Sequence, residues 1–267
     1  MQRWKTEGLP GHLTEPEVRD FFGLEIISFC PDLGPQFGVE VIKQDKQYII
    51  ERNSFGEMVK NYADYSSTPE VIDSPVKSPG DWVQFKKRLT PSKSRRVSWN
   101  VRSRQSELTD WREELERFQR ASEQGKFIVY SSIIGYDCMQ RFVGSERLLM
   151  AMVTQPAWVQ DMYMTQAELA IGMFSLMEEE GFKFDGVYLA SDMAYRNALL
   201  FSPEHYKKQL FPADRLICRY FAEKDIPVIL HSDGYVRPLI PYLIEAGFSC
   251  LQPLEAKAGM DVRELKR

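Results

Sequence analysis

An alternation that begins after Gly125 constrains this chain more than any other feature of the sequence. Short apolar runs, Phe127 to Ile134, Phe184 to Ala190, Ile226 to Leu230 and Phe248 to Leu251, are separated by stretches of helical character. Runs this short, rich in β-branched and aromatic residues, read as strands. Helices between them force successive strands parallel, because a parallel pair needs a long crossover. Between the first two runs lie Ser145 to Val153 and Pro156 to Glu180, the latter opened by a proline suited to a first helical turn and closed by Gly181. Pro203 to Ala222 and Val236 to Ala246 fill the next two gaps. The six methionines from Met150 to Met177 fall on these helices and read as core packing. Strands so continuously apolar predict an α/β fold whose parallel sheet is covered on both faces.

The half before Gly125 has a different texture. A helix is expected over Glu15 to Phe22, with Thr14 as its cap, Pro16 in its first turn and Gly23 as its stop. Glu25 to Phe29, Gly38 to Ile42 and Gln47 to Glu51 are β-branched runs punctuated by Pro31, Gly34, Pro35 and Gly56, a pattern that predicts a small antiparallel β-meander. Asp81 is placed to open a helix over Trp82 to Leu89. The series Lys86, Lys87, Arg88, Lys93, Arg95, Arg96, Arg102 and Arg104 runs without an intervening acid. It reads either as an anion-binding surface or, more simply, as a solvated loop. Glu107 to Gln124 carries Trp111, Leu115 and Phe118 at helical spacing. One domain is expected over residues 1–267, with the helices and meander in 1–125 and the βα units in 126–267.

Charge and composition narrow the class of partner. Lysine plus arginine number 34 against 38 acidic residues, a formal charge of −4, so no overall basic field exists to gather nucleic acid. No apolar stretch is long enough to span a bilayer, and Met1 to Pro10 is polar and charged rather than leader-like, so a cytoplasmic protein without membrane partners is expected. Cys30, Cys138, Cys218 and Cys250 are widely spaced and read as reduced thiols. No Walker loop, GxGxxG, HExxH or GxSxG occurs.

In a parallel sheet, open or closed, chemistry gathers at the carboxyl ends of the strands. Residues just past the runs are Tyr136 and Asp137, then Asp192, then His231 and Asp233, then Gln252 and Glu255. Pro227 to Leu230 is a short strand, and His231-Ser-Asp-Gly234 turns at its end, with the glycine free to take a positive φ. At i, i+2 spacing, His231 and Asp233 can share a divalent cation such as zinc. The same pair can equally be a histidine hydrogen-bonded to a carboxylate to close the turn. Asp192 reads as an acceptor for a substrate donor, as a carboxylate that orients a histidine, or as a cap of the chain turn. Tyr136, Gln252 and Glu255 are the candidate substrate contacts.

From Gly181 to Asp261 the chain resembles the uroporphyrinogen decarboxylase superfamily. The resemblance rests on Phe184-Asp-Gly-Val-Tyr-Leu189, Asp192-Met193, Leu200-Phe-Ser-Pro203, Pro227-Val-Ile-Leu-His-Ser-Asp-Gly234, Leu239-Ile-Pro241, Glu245 to Glu255 and Ala258-Gly-Met-Asp261. Trp4 to Gly8, Phe21-Phe-Gly23, Pro75-Val-Lys77 and Asp81-Trp82 extend it more weakly. The superfamily joins the decarboxylases of porphyrin biosynthesis and the cobamide-dependent methyltransferases, many of which pass methyl groups to coenzyme M. The resemblance implies a (β/α)8 TIM barrel. In the methyltransferase branch it implies a zinc ion on a His-x-Cys pair that activates an acceptor thiol, with a corrinoid or corrinoid protein as methyl donor. His231 matches this pattern, whereas Asp233 stands where the cysteine would be. The arginine-bearing strand that grips substrate carboxylates in the decarboxylases has no match. Against the family pattern Arg267 falls in the helix after the sixth barrel strand, so an incomplete barrel is expected.

Three readings follow: a methyltransferase-related enzyme using His231 and Asp233, a metal-free porphyrinogen-type decarboxylase using Asp192, and a non-catalytic corrinoid- or partner-binding remnant.

Overall fold

The computed structural model describes residues 2–13, 17, 18, 21–95, 97, 98 and 111–266. A six-stranded sheet holds β1 (Ile26–Pro31), β6 (Val97–Ser98), β7 (Phe127–Ile133), β8 (Gly186–Ala190), β9 (Val228–His231) and β10 (Cys250–Gln252), in the order β10-β9-β8-β7-β1-β6. β6 runs antiparallel to β1; the other neighbours are parallel. Sequential parallel order without reversal is the winding of a barrel wall rather than of a doubly wound sheet. Among the described residues this wall is not closed. What is observed is an α/β sheet of the barrel type.

The run Glu25 to Phe29, expected in the meander, does not join it. Ile26 to Phe29 pair in parallel with Phe127 to Tyr130, and Phe29 is fully buried against Phe118 and Phe182. The sequence carries four recognisable parallel strands after Gly125, but the partner that makes β1 a fifth lies about a hundred residues away, beyond the reach of local pattern. The meander itself comprises β2 (Glu40–Gln44), β3 (Tyr48–Arg52), β4 (Met58–Tyr62) and β5 (Glu70–Asp73) in sequential antiparallel order. It is fastened to the sheet's helices by Glu57, which is buried and accepts from Arg141 Nη2 at 3.1 Å, while the Arg141 guanidinium lies 3.4 Å from the centre of the Phe55 ring.

The expectation that helices cover both faces is corrected by the register. Residues in register on parallel strands share a face, and successive residues alternate. Tyr130, Val187, Leu189, Val228 and Leu230 form one face and are at most 1% exposed. They lie beneath the helices: the Tyr130 hydroxyl donates to the Ala170 carbonyl at 2.8 Å, and its ring packs edge-on to Phe174. The opposite face presents Ser131, Ile133, Tyr188, Ala190, Ile229, His231 and Gln252, all only partly buried. Alternate residues of the same strands are therefore committed to two environments.

The helices follow the sequence signals with local departures. Pro156–Glu179 is one helix with proline in its first turn. Gly181 follows at φ +103°, and Phe182 N–H closes back on the Met177 carbonyl. Pro203 to Ala222 is continuous but contains a π-helical turn, Tyr206–Leu210. The helix expected from Asp81 is capped instead by Ser78, whose Oγ accepts from Asp81 N–H, and runs over Pro79–Phe85. Directly after β7 stands a further helix, Gly135–Val143, ahead of the two expected between the first two runs. Of the helix expected over Glu15 to Phe22, residues 14–16, 19 and 20 lie outside the described residues, as do 107–110 of the helix now seen at Trp111–Glu123. Within the basic series, Arg96, Arg102 and Arg104 also lie outside them. Arg95 is no solvated side chain: it is 2% exposed and donates to the carbonyls of Arg88, Thr90, Asp32 and Gly34. No described helix is long and apolar enough to cross a membrane.

Candidate functional site at the strand ends

His231 is the last residue of β9, and its ring stands on the half-open face of the sheet. The chain then reverses through Gly234 at φ +83°, where a Cβ would lie 2.5 Å from the Tyr195 carbonyl oxygen. Glycine is required there both for the dihedral and for the close approach. The turn brings Asp233 back beside the strand end: its Oδ1 is 3.8 Å from His231 Nε2. From the loop after β8, Asp192 Oδ1 reaches the same nitrogen at 3.8 Å. The side chain of His231 is 15% exposed, whereas those of Asp192 and Asp233 are 40% and 53% exposed, so a shielded imidazole meets two carboxylates that face solvent. One ligand atom from each of the three lies within 4.8 Å of the others.

Carboxylates and backbone amides stitch the strand-end loops together. Asp192 N–H donates to Asp137 Oδ2, Asp233 N–H to Asp192 Oδ1 and Gly234 N–H to Glu255 Oε2, each at 2.8 Å. Each bond crosses from one loop to the next. Such charge-assisted bonds are stronger than neutral ones and fix the turns that present the site. Serines add to the pattern, with Tyr136 N–H donating to Ser191 Oγ at 3.1 Å and Met193 N–H to Ser232 Oγ at 3.2 Å. Asp137, in the first turn of Gly135–Val143, is the deepest of these carboxyls. Burial pushes it up from the ordinary carboxylate value to about 6, the negative charge of Asp192 adding to the rise while the Asp192 amide and His231 oppose it.

The other expected site residues separate into different roles. Gln252, in register with His231 on β10, places Nε2 2.7 Å from His231 Nδ1, and the Tyr188 hydroxyl is 3.1 Å from the same nitrogen. Gln252 thus binds the imidazole. Glu255 binds the turn at Gly234. Tyr136 is 1% exposed, with its hydroxyl 2.8 Å from Ser145 Oγ and its ring against Phe201, so it builds the floor beneath the mouth instead of lining it. Sequence reasoning missed Tyr188, whose signal was its parity with His231 across adjacent strands, and underweighted Asp137. An open surface depression adjoins the same loops, lined by Ala198, Leu199, Phe201, Ser202, Pro203, Tyr235 and Pro238. It is mainly apolar and does not include the three clustered side chains.

The chain superposes on a solved methyltransferase from Methanosarcina mazei with a TM-score of 0.54. The likeness is one of fold. The two are 15% identical over 87% of this chain, which spans 58% of the length of the methyltransferase. No family model and no curated protein matches the sequence.

Proposed function

We propose that the protein is methyltransferase-related and moves a methyl group between a corrinoid and a thiol acceptor, with Asp192, His231 and Asp233 as ligands of a divalent cation. The observation that carries this reading is the approach of two carboxylate oxygens to 3.8 Å from one imidazole nitrogen at the ends of adjacent parallel strands. Two ligands about 2.1 Å from one ion at a tetrahedral angle stand roughly 3.4 Å apart, so small side-chain rotations close the set. One imidazole and two carboxylates suit zinc and harder divalent ions, whereas a thiolate donor would favour softer ones. When bound, zinc supplies the positive charge that holds a thiol as its nucleophilic thiolate.

The chain's own residues supply the rest. Gln252 and Tyr188 hold the far side of the His231 ring, Asp137 fixes the turn that presents Asp192, and the open apolar surface beside the loops can receive the non-reacting part of a small acceptor. The methyl donor is then a corrinoid or a corrinoid-bearing protein. Zinc-loaded, exhaustively dialysed protein is expected to retain stoichiometric metal and to demethylate methylcobalamin in the presence of a thiol such as coenzyme M, and His231→Ala to lose both. Wild-type protein that retains no divalent metal overturns the cation reading.

A second reading has one observation on its side. Asp137, a carboxyl raised to about 6 beside Asp192, has the protonation range of a general acid, as decarboxylation of a pyrrole substrate requires. Turnover of a porphyrinogen by metal-free protein would favour it.

A further inference from the structure

We infer that Gln252 and Tyr188 are positioning residues that select which ring nitrogen of His231 carries the proton, and that Gln252 does so by rotating its side-chain amide. The strands place the three side chains together. Gln252 is directly in register with His231, and Tyr188 is in register with Ile229, two residues before it, so all three stand on the half-open face. Gln252 Nε2 lies 2.7 Å from His231 Nδ1 and also donates to the Tyr188 hydroxyl, which is itself 3.1 Å from Nδ1.

An amide nitrogen has hydrogens to give and no lone pair to receive with, so in this arrangement Nδ1 is the acceptor. The proton of the neutral ring then sits on Nε2 and points at Asp192 Oδ1 and Asp233 Oδ1. Nε2 stands 3.8 Å from each carboxylate oxygen, beyond hydrogen-bond distance, and its proton blocks it as a ligand. A half-turn of the amide puts Oε1 in place of Nε2 with no change in shape. Oε1 then accepts from Nδ1–H and from the Tyr188 O–H together, and the Nε2 lone pair is released between the two carboxylates. Glutamine serves both states because it carries a donor and an acceptor on one rotatable group. Glutamate serves only the second and leucine neither.

The test is ¹⁵N NMR of the histidine side chains in metal-free protein, at a pH where the rings are neutral. The chain has three histidines, so assignment by single substitution is direct. Wild type is expected to show His231 held in a single tautomer, Gln252→Glu to place the proton on Nδ1, and Gln252→Leu to give averaged shifts. Tyr188→Phe is expected to keep the wild-type tautomer with a smaller change in shift, and near-UV circular dichroism to confirm that each variant is folded. A zinc titration adds a second arm, which rests on the cation reading above: Gln252→Leu is expected to weaken binding about 10-fold or more, and Gln252→Glu to retain or tighten it. Identical His231 shifts in wild type, Gln252→Leu and Gln252→Glu would overturn the inference. Shifts that follow the expected pattern in a protein that binds no zinc would leave it standing and remove the cation reading instead.

Discussion

On β8, Leu189 is sealed beneath the helices while its neighbour Tyr188 reaches the opposite face and touches His231. The same alternation repeats on β9, where Leu230 is buried and His231 faces the mouth. One strand thus serves the core with every second residue and the site with those between. Substitutions one position apart should therefore fall into separate classes of effect. Leu189→Ala opens a cavity under the helices and is expected to cost about 2–5 kcal/mol, measured by urea unfolding. Tyr188→Phe keeps the ring and is expected to cost under about 1 kcal/mol. Equal losses at the two positions would show that both faces of β8 belong to the core.

The helix layer also encloses a buried acid. Asp214 accepts from the Tyr206 hydroxyl at 2.7 Å, and burial pushes it up to about 7 from an ordinary value of 3.8. Its folded pKa lies above its unfolded one, so the folded state holds the proton more tightly. The contribution of Asp214 to stability is therefore greatest below about pH 4, falls as pH rises towards about 7, and levels off above it. Asp214→Asn is expected to remove this slope and to stabilise the protein by up to about 4 kcal/mol at alkaline pH, while preserving an acceptor for Tyr206. Unfolding curves measured across that range check both the sign and the size. A difference between wild type and Asp214→Asn that changes with pH in the opposite sense would place the acid in a polar setting.

At the mouth, Gly234→Ala meets both an unfavourable φ and the Tyr195 carbonyl, and about 1–3 kcal/mol is expected from urea unfolding. His231→Ala should have the smallest effect on stability, under about 1 kcal/mol, while abolishing zinc retention. A large stability loss there would move His231 from the site to the framework.

The two sequence halves were legible to different degrees. The βα periodicity, the parallel order of the last four strands and the approach of His231 to Asp233 could be read because each depends on neighbours within a short window. Gly234 made the turn readable, since few residues other than glycine tolerate its dihedral. The parallel partner of β1 and the polar character of one sheet face depend on register across strands, which no local pattern encodes. Gln252 was expected to meet a substrate because it follows an apolar run; in register it meets the imidazole. Arg95 was grouped with a basic loop by its charge, yet its guanidinium is spent on four backbone carbonyls, a role that composition cannot reveal.

The hand-to-hand bonding of Asp137, Asp192 and Glu255 to amides on adjoining turns has a dynamic consequence. No single turn can open without breaking a bond held by its neighbour, so the amides of Asp192, Asp233 and Gly234 should exchange with deuterium at one shared rate. Damage at Asp137 would then be felt two strands away.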